Sequence, residues 1–380
     1  MIPWCNKIKF LTISKSLILL TLAIFNLTFA KSKPNIYNAR QLAFKRAQSL
    51  DNGVSVSALD QTWNKNILQS EVLTATDCIL LKKLGFRSIR LPVAFTYFEA
   101  KKIPLSVVYA KIDKVIKLCK TYGFTLVLDY HYGNLADSNY LTETPKIIGL
   151  WRKVAQKYKN QSAGFLLYEI YNEPLPINPQ IWKDAAYNIV TAIRKIDKKR
   201  TLIVGASNYN SIYELSRFVR LADENIIYTF HFYEPFFFTH QGAEWVGKQV
   251  ATTGVPFPYN AENFPELHPD AGNTWGETNY KQYKTDGNEQ SIIDKLGIVK
   301  QWSNKYGVPI LCGEYGVYNK YADLPSRCRY IKAVRKALKQ YKIPGMMWDY
   351  NTSFSIFEGK PSMANLPVCM QNAIGYKPKK

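Results

Sequence analysis

The chain has 380 residues, 47% hydrophobic and 14% aromatic, including 26 Tyr, 19 Phe and 8 Trp, enough to bury a large core. Its formal net charge is +21, which raises the question of an anionic partner. The cations are scattered over helix faces, as in Lys111, Lys114, Lys117 and Lys120, without the compact aromatic-laced tract of a nucleic-acid surface.

Residues 1–30 read as a secretory signal peptide. Lys7, Lys9 and Lys15 form a basic start, Leu17 to Phe29 is apolar, and Thr28-Phe29-Ala30 offers small residues for cleavage. The apolar run is short for a membrane span, although an uncleaved N-terminal anchor is the alternative. Export to an extracellular or periplasmic space is the expectation, with no stable span in the mature chain. Cys5 leaves with the signal, and Cys78, Cys119, Cys312, Cys328 and Cys369 remain. An odd count leaves at least one thiol unpaired in a monomer, and spacing alone does not choose the pairs. Cys312, inside an apolar run, is expected to be a buried free thiol. No Cys-x-x-Cys or His-x-x-x-His spacing suggests a zinc site.

From about residue 35 onward the chain alternates strand and helix. Gly53–Ser57 reads as a first strand, a helix follows near Thr74–Leu84, and Ser88–Leu91 is the second strand. Apolar residues at Val108, Ile112, Val115, Ile116 and Cys119 predict a helix over 106–122, ended by Gly123. Thr125–Tyr130 is the third strand and a helix is expected over 144–158. Gly164–Tyr171, Thr201–Gly205 and Ile226–Phe230 are the next strands, with helices at 181–197 and 212–218 between them. A long irregular stretch, about 231–287, carries Phe236, Phe237, Phe238, Trp245, Phe257, Tyr259, Phe264 and Trp275. A stretch that long and that aromatic is expected to wall a cleft. A helix over 291–306, a strand over 310–313, a helix over 325–341 and an eighth strand over 345–348 complete the pattern. The tail is expected to add one more helix.

Near-continuous apolar strands are buried on both faces, as in parallel sheets. Eight right-handed crossovers close a (β/α)₈ barrel as a single domain, 35–380. An open nucleotide-binding sheet is the rival, but no Gly-x-Gly-x-x-Gly follows the first strand.

In such a barrel, chemistry sits at the C-terminal strand ends. Arg90 ends the second strand, His131 follows the third, Asn172-Glu173-Pro174 the fourth and Asn208 the fifth. His231 and Tyr233 follow the sixth, Glu314 the seventh, and Trp348 the eighth. Two carboxylates facing one cleft suit glycoside hydrolysis, which needs one protonated acid and one ionised carboxylate. Arg90 and the Tyr233 hydroxyl are candidates for keeping Glu314 ionised, and Glu169 is a candidate partner of Arg90. Trp348, Trp245, Asn208 and His240 are candidates for substrate contact. His268 has no assigned role.

These residues resemble family 5 glycoside hydrolases, the cellulase-like group of the (β/α)₈ glycosidases. The joint pattern Arg90, His131, Asn172-Glu173, His231-x-Tyr233, Glu314 and Trp348 carries the resemblance, with Phe238-Thr239-His240-Gln241-Gly242-Ala243 beside it. It implies that Glu173 is the acid/base and Glu314 the nucleophile of a retaining double displacement. Asn172 would hold the sugar 2-hydroxyl, His231 would tune Glu173, and His131 and Trp348 would bind sugar at the cleavage point. It also implies no cofactor and no metal. A β-1,4-glucan is the expected substrate, with mannan, mixed-linkage glucan or xyloglucan as alternatives and a non-catalytic carbohydrate-binding protein as the different-class alternative. A basic adhesion protein is a further alternative. The family commonly has paired His after the third strand; here the pair is His131-Tyr132. No carbohydrate-binding module is appended, which favours soluble or amorphous glucan. A monomer is expected.

Overall fold

The computed structural model describes residues 36–377. The described residues from Arg40 onward gather into one compact unit, and of the residues before it only the first turn of a helix is described. The proposed signal segment lies outside the described residues.

Eight strands form one parallel sheet: β1 Gly53–Ser55, β2 Ser88–Val93, β3 Thr125–Tyr130, β4 Leu166–Glu169, β5 Leu202–Gly205, β6 Ile226–His231, β7 Ile310–Glu314 and β8 Met346–Met347. Their order is β7-β6-β5-β4-β3-β2-β1-β8, and a parallel bridge from Cys312 to Gly345 brings β7 against β8. The sheet therefore closes into the expected (β/α)₈ barrel.

Period-two alternation sorts the barrel interior into layers. The floor is apolar: Val127, Leu167, Ile203, Ile227, Leu311 and Met346 cluster with Ala47 and Leu50. The last two belong to, or directly follow, a helix over Ile36–Ser49 that the sequence reading did not anticipate. It buries Ala43, Arg46 and Ala47, so it lacks a strong apolar stripe, yet it stops the bottom of the barrel. Two residues further along the strands, the inward positions turn polar or small: Asp129, Glu169, Gly205, Thr229 and Gly313. Arg90 joins this layer. The change from apolar floor to polar layer is what seats a site above a packed core.

The outer helices follow the expected spacing. The helix Leu105–Tyr122 buries Val108, Ile112, Val115, Ile116 and Cys119, and Gly123 closes it at φ 69°. Thr74 and Asp77 form a reciprocal cap at the helix Ala75–Lys83. Two expectations need correction. The helix expected from residue 144 begins at Tyr140 and runs through Pro145. The stretch 231–287 is not irregular throughout: Thr274 caps a helix over Trp275–Asp286 whose only buried residues are Gly276 and Tyr283. Such a polar helix shows no apolar period.

Cys328 and Cys369 form a disulfide that ties the helix Leu324–Tyr341 to the helix Val368–Ile374, while Cys78, Cys119 and Cys312 are buried thiols. No helix among the described residues is long and apolar enough to cross a membrane. Cations that look scattered in sequence are partly gathered by the fold. A cavity of about 960 Å³ at the end opposite the strand C-termini is lined by Arg87, Lys332, Arg335, Lys336, Lys339 and Lys342 against a single acid, Asp51.

Candidate active site

Arg90 is the fixed point of the polar layer. It is fully buried on β2, and its guanidinium is shared among three carboxylates and one amide. Nε donates to Glu169 Oε2 at 2.7 Å and Nη2 to Glu169 Oε1 at 3.1 Å. Nη1 donates to Glu314 Oε1 at 2.7 Å, and Nη2 also reaches Asn172 Oδ1 at 2.7 Å and Asp129 Oδ2 at 3.1 Å. A planar fork with fixed donors suits this arrangement, and a lysine would not. Arg90 thus bonds both of its expected partners, Glu169 and Glu314. Asp129 and Glu169 are register partners across β3 and β4, so their charges would repel without the guanidinium between them.

Glu314 ends β7 and is buried. It accepts from Arg90 at Oε1 and from the Tyr233 hydroxyl at Oε2, 2.8 Å away. Burial pushes its carboxyl above the usual range, and His231 and Arg90 pull against that shift. Burial also keeps the Tyr233 phenol protonated, so it stays a donor.

Glu173 follows β4 in a left-handed conformation, φ 37°. A bulky residue there is strained by about 1–3 kcal/mol, and such strain persists only where surroundings impose it. Its side chain is about one third open toward the cleft. Oε1 meets His231 Nδ1 at 2.6 Å. Burial pushes the Glu173 carboxyl up to about 7, against the opposing pull of His131 and Arg90. The two glutamates thus differ in their donors: a guanidinium and a phenol hold Glu314, while a single neutral imidazole faces Glu173. Burial holds His231 down to about 4, so it is uncharged at neutral pH. Carboxylate oxygens of Glu173 and Glu314 and a ring nitrogen of His231 all lie within 4.8 Å of one another, the one His/Cys/Asp/Glu cluster of metal-ligand size among the described residues.

The remaining expected residues divide. Asn172 is buried and held by Arg90 and by its N–H to the Tyr130 carbonyl. His131 is buried, bonds Asp129 through Nδ1 at 2.7 Å, and lies flat against Trp348 at 5.5 Å and 3°. Trp348 is half-buried and Trp245 is exposed beside Tyr318 and Phe354. Two further candidates for substrate contact differ in their surroundings. His240 is buried, stacked on Phe236 at 4.0 Å and edge-on to Tyr233, so it packs the ring that serves Glu314. Asn208 is exposed, and no side-chain hydrogen bond forms to it among the described residues. The neighbour two positions on, Asn210, is fully buried and lies 3.3 Å from His231 Nε2. It was missed because the turn over Ser207–Asn210 is left-handed at Asn208, Tyr209 and Asn210. Each left-handed L-residue costs about 1–2 kcal/mol, less for Asn, and only the pair of Asn flanking Tyr209 hinted at it.

A protonated carboxyl facing an ionised one across a narrow cleft, with aromatic walls, can cleave an acetal. Proteins similar to this chain point to the same chemistry. The model of Cellulase (glycosyl hydrolase family 5) matches residues 49–354. Endoglucanase C of Acetivibrio thermocellus is 31% identical over 298 residues, 73% of this chain and 84% of the relative. Endoglucanase 3 of Fibrobacter succinogenes is 28% identical over 342 residues, 83% of this chain, which spans 51% of that relative's length. The solved endoglucanase from the hyperthermophilic Thermotoga maritima has a TM-score of 0.71 at 25% identity, covering 87% of this chain and 99% of that one. With the match running from before β1 to beyond β8, the chain belongs to glycosyl hydrolase family 5 and is a glycosidase.

Proposed function

We propose that this chain is an exported, monomeric endo-β-1,4-glucanase that works by retaining double displacement. The observation that carries the reading is the Glu173–Glu314 pair, whose carboxylate oxygens approach within 4.8 Å. Retaining enzymes hold their carboxyls about 5–5.5 Å apart, whereas inverting ones leave about 6.5–9.5 Å for a water. The exposed Trp245 and half-buried Trp348 support an extended glycan in the cleft.

In the first step Glu314 attacks the anomeric carbon while Glu173 gives its proton to the departing oxygen. Glu314 is aimed by Arg90 and Tyr233, and Glu173 is kept protonated by burial. In the second step the Glu173 carboxylate takes a proton from water. That water then displaces Glu314 and restores the β configuration. All proton traffic passes through Glu173. Arg90, Asp129 and Glu169 stay in the layer beneath and fix the geometry.

Glu314→Ala should abolish hydrolysis of carboxymethylcellulose, and full activity in that variant would sink the assignment. Proton NMR of the first-released anomer tests retention separately, since an α product would refute it. A panel of cellulose derivatives, mixed-linkage glucan, xyloglucan and mannan tests the glycan, and preference for mannan would displace the glucanase reading. Recovery of the chain from cell extract only, with its N-terminus intact, would refute export.

A further inference from the structure

Three consecutive residues after β5, Asn208, Tyr209 and Asn210, have φ of 55°, 61° and 55°. Non-glycine residues rarely hold that conformation, and a run of three needs surroundings that impose it. Backbone hydrogen bonds do so here. The Asn208 N–H donates to the Leu175 carbonyl at 3.3 Å and the Tyr209 N–H to the Pro174 carbonyl at 2.8 Å. Pro174 and Leu175 directly follow Glu173, so the turn is clamped to the backbone of the acid/base itself. The left-handed run leaves Asn208 and Tyr209 exposed and turns Asn210 inward to full burial. Glycine makes the room: a Cβ at Gly205 would lie 1.9 Å from Asn210 Oδ1.

The buried amide meets His231. Asn210 Nδ2 lies 3.3 Å from Nε2 of the ring. The other ring nitrogen, Nδ1, faces two carboxylates, Glu173 at 2.6 Å and Glu314 at 3.4 Å. With Glu173 in its acid form, Nδ1 still faces the Glu314 carboxylate, which can only accept, and the carbonyl oxygen of Glu173, so the ring proton belongs on Nδ1. In a neutral imidazole the opposite nitrogen then holds a lone pair and needs a donor. Among the described residues, the Asn210 amide is the side chain bonded there.

We infer that Asn210 is a positioning residue for the acid/base step: its amide donates to Nε2 and holds His231 neutral, with the ring proton on Nδ1 aimed at Glu173. The inference rests on reading Glu173 as the acid/base. When Glu173 gives its proton to the leaving oxygen, the new carboxylate finds a fixed N–H donor already in place. His231 loses no proton, and Glu173 is left free to deprotonate the incoming water. The other charges around the pair are set by the barrel. His131, Arg90, Glu314 and Asp129 surround Glu173, and Glu314, Arg90, Glu169 and His131 surround His231. None of them bonds Nε2 among the described residues.

Asn210→Asp keeps the shape but offers an acceptor, which favours a second proton on His231. An imidazolium beside Glu173 stabilises its carboxylate, so the acid form is lost at lower pH. The alkaline limb of kcat/KM on a cello-oligosaccharide should therefore move down by about 0.5 pH unit or more. Asn210→Ala should lose roughly tenfold to a hundredfold on that substrate. It should lose far less on a dinitrophenyl glycoside, whose leaving group needs no proton. In the unaltered ¹⁵N-labelled enzyme, the His231 proton should be on Nδ1 near neutral pH. That spectrum decides the matter even if a variant fails to fold. A proton on Nε2, an unmoved limb in N210D, or equal losses on both substrates in N210A would each overturn the inference. Glu173→Ala with azide tests the underlying reading separately. Azide should displace Glu314 from the glycosyl-enzyme and yield the β-glycosyl azide. No rescue would remove the acid/base reading and this inference with it. Rescue alongside an unmoved N210D limb would remove the inference alone.

Discussion

Arg90→Lys separates the two roles of the residue most deeply built into the site. The guanidinium makes four hydrogen bonds and a fifth close ionic contact, spread over Glu169, Asp129, Glu314 and Asn172. An ammonium has three donors on a single nitrogen and cannot span acceptors on β3, β4 and β7 at once. At least one buried carboxylate is left uncompensated. Breaking a buried ion pair in this way costs about 3–5 kcal/mol. For a chain of this size that is a fall in Tm of roughly 4–7 °C, read by scanning calorimetry. The catalytic consequence has a definite sign. Arg90 pulls the Glu314 carboxyl down against the upward push of burial. Weakening that pull raises it, and a nucleophile works only when ionised. The acid limb of kcat/KM on an aryl cellobioside should therefore move to higher pH, while the alkaline limb, set by Glu173, moves less. A large loss of stability with an unmoved acid limb would show that Arg90 serves the core alone. Wild-type stability would refute the energetic argument altogether.

The unaltered enzyme should lose kcat/KM as pH rises through about 7, because Glu173, raised from the ordinary 4.5, must be protonated to act. A rate flat to pH 9 would be incompatible with that role. Reducing the Cys328–Cys369 bridge, 41 residues apart in sequence, should cost about 4 kcal/mol by loop entropy. The check is Tm with and without reductant, or in the Cys328→Ser variant, and an unchanged Tm would count against it. Trp245→Ala should raise KM on polymeric glucan roughly fivefold, about 1 kcal/mol of stacking, with kcat on a short aryl glycoside unchanged. Equal effects on both would mean that the ring supports Tyr318 and Phe354 instead.

The barrel was legible because parallel strands are buried on both faces and leave continuous apolar runs such as Thr125–Tyr130. The meeting of Glu173 and Glu314 was legible for the complementary reason, since an acid at the end of such a run has no place in packing. What escaped has different causes. The helix Trp275–Asp286 is polar nearly all round, and the helix Ile36–Ser49 buries mainly small side chains, so neither has a period to detect. The disulfide joins helices whose adjacency depends on closing the barrel. Asn208 was expected at the site, and the buried Asn210 two positions on, which bonds His231, was not. Strand alternation projects positions through β5, but a left-handed turn breaks the alternation just beyond it, and the sign of φ is not written in side-chain spacing.

The polar layer also explains why a core would tolerate so many acids. One guanidinium faces Glu169, Asp129 and Glu314, and burial raises Asp129 to about 7. Hydrophobic residues of the same volume would pack there without the desolvation cost. That cost has a use in the retaining mechanism, whose transition state carries positive charge on the sugar ring. Carboxylate charge held in place by one guanidinium under the anomeric carbon, screened from water by the apolar floor below and the aromatic walls above, stabilises that cation without reorganising as it forms. Replacing Glu169 by Gln sets an amide donor against one of the two Arg90 N–H groups it now accepts from, so it should cost about 3–5 kcal/mol of stability and lower kcat as well. A layer that serves the fold alone would show the same stability loss with an unchanged kcat. Those two changes, measured together, tell whether the layer beneath Glu173 and Glu314 belongs to the fold alone or also to the chemistry.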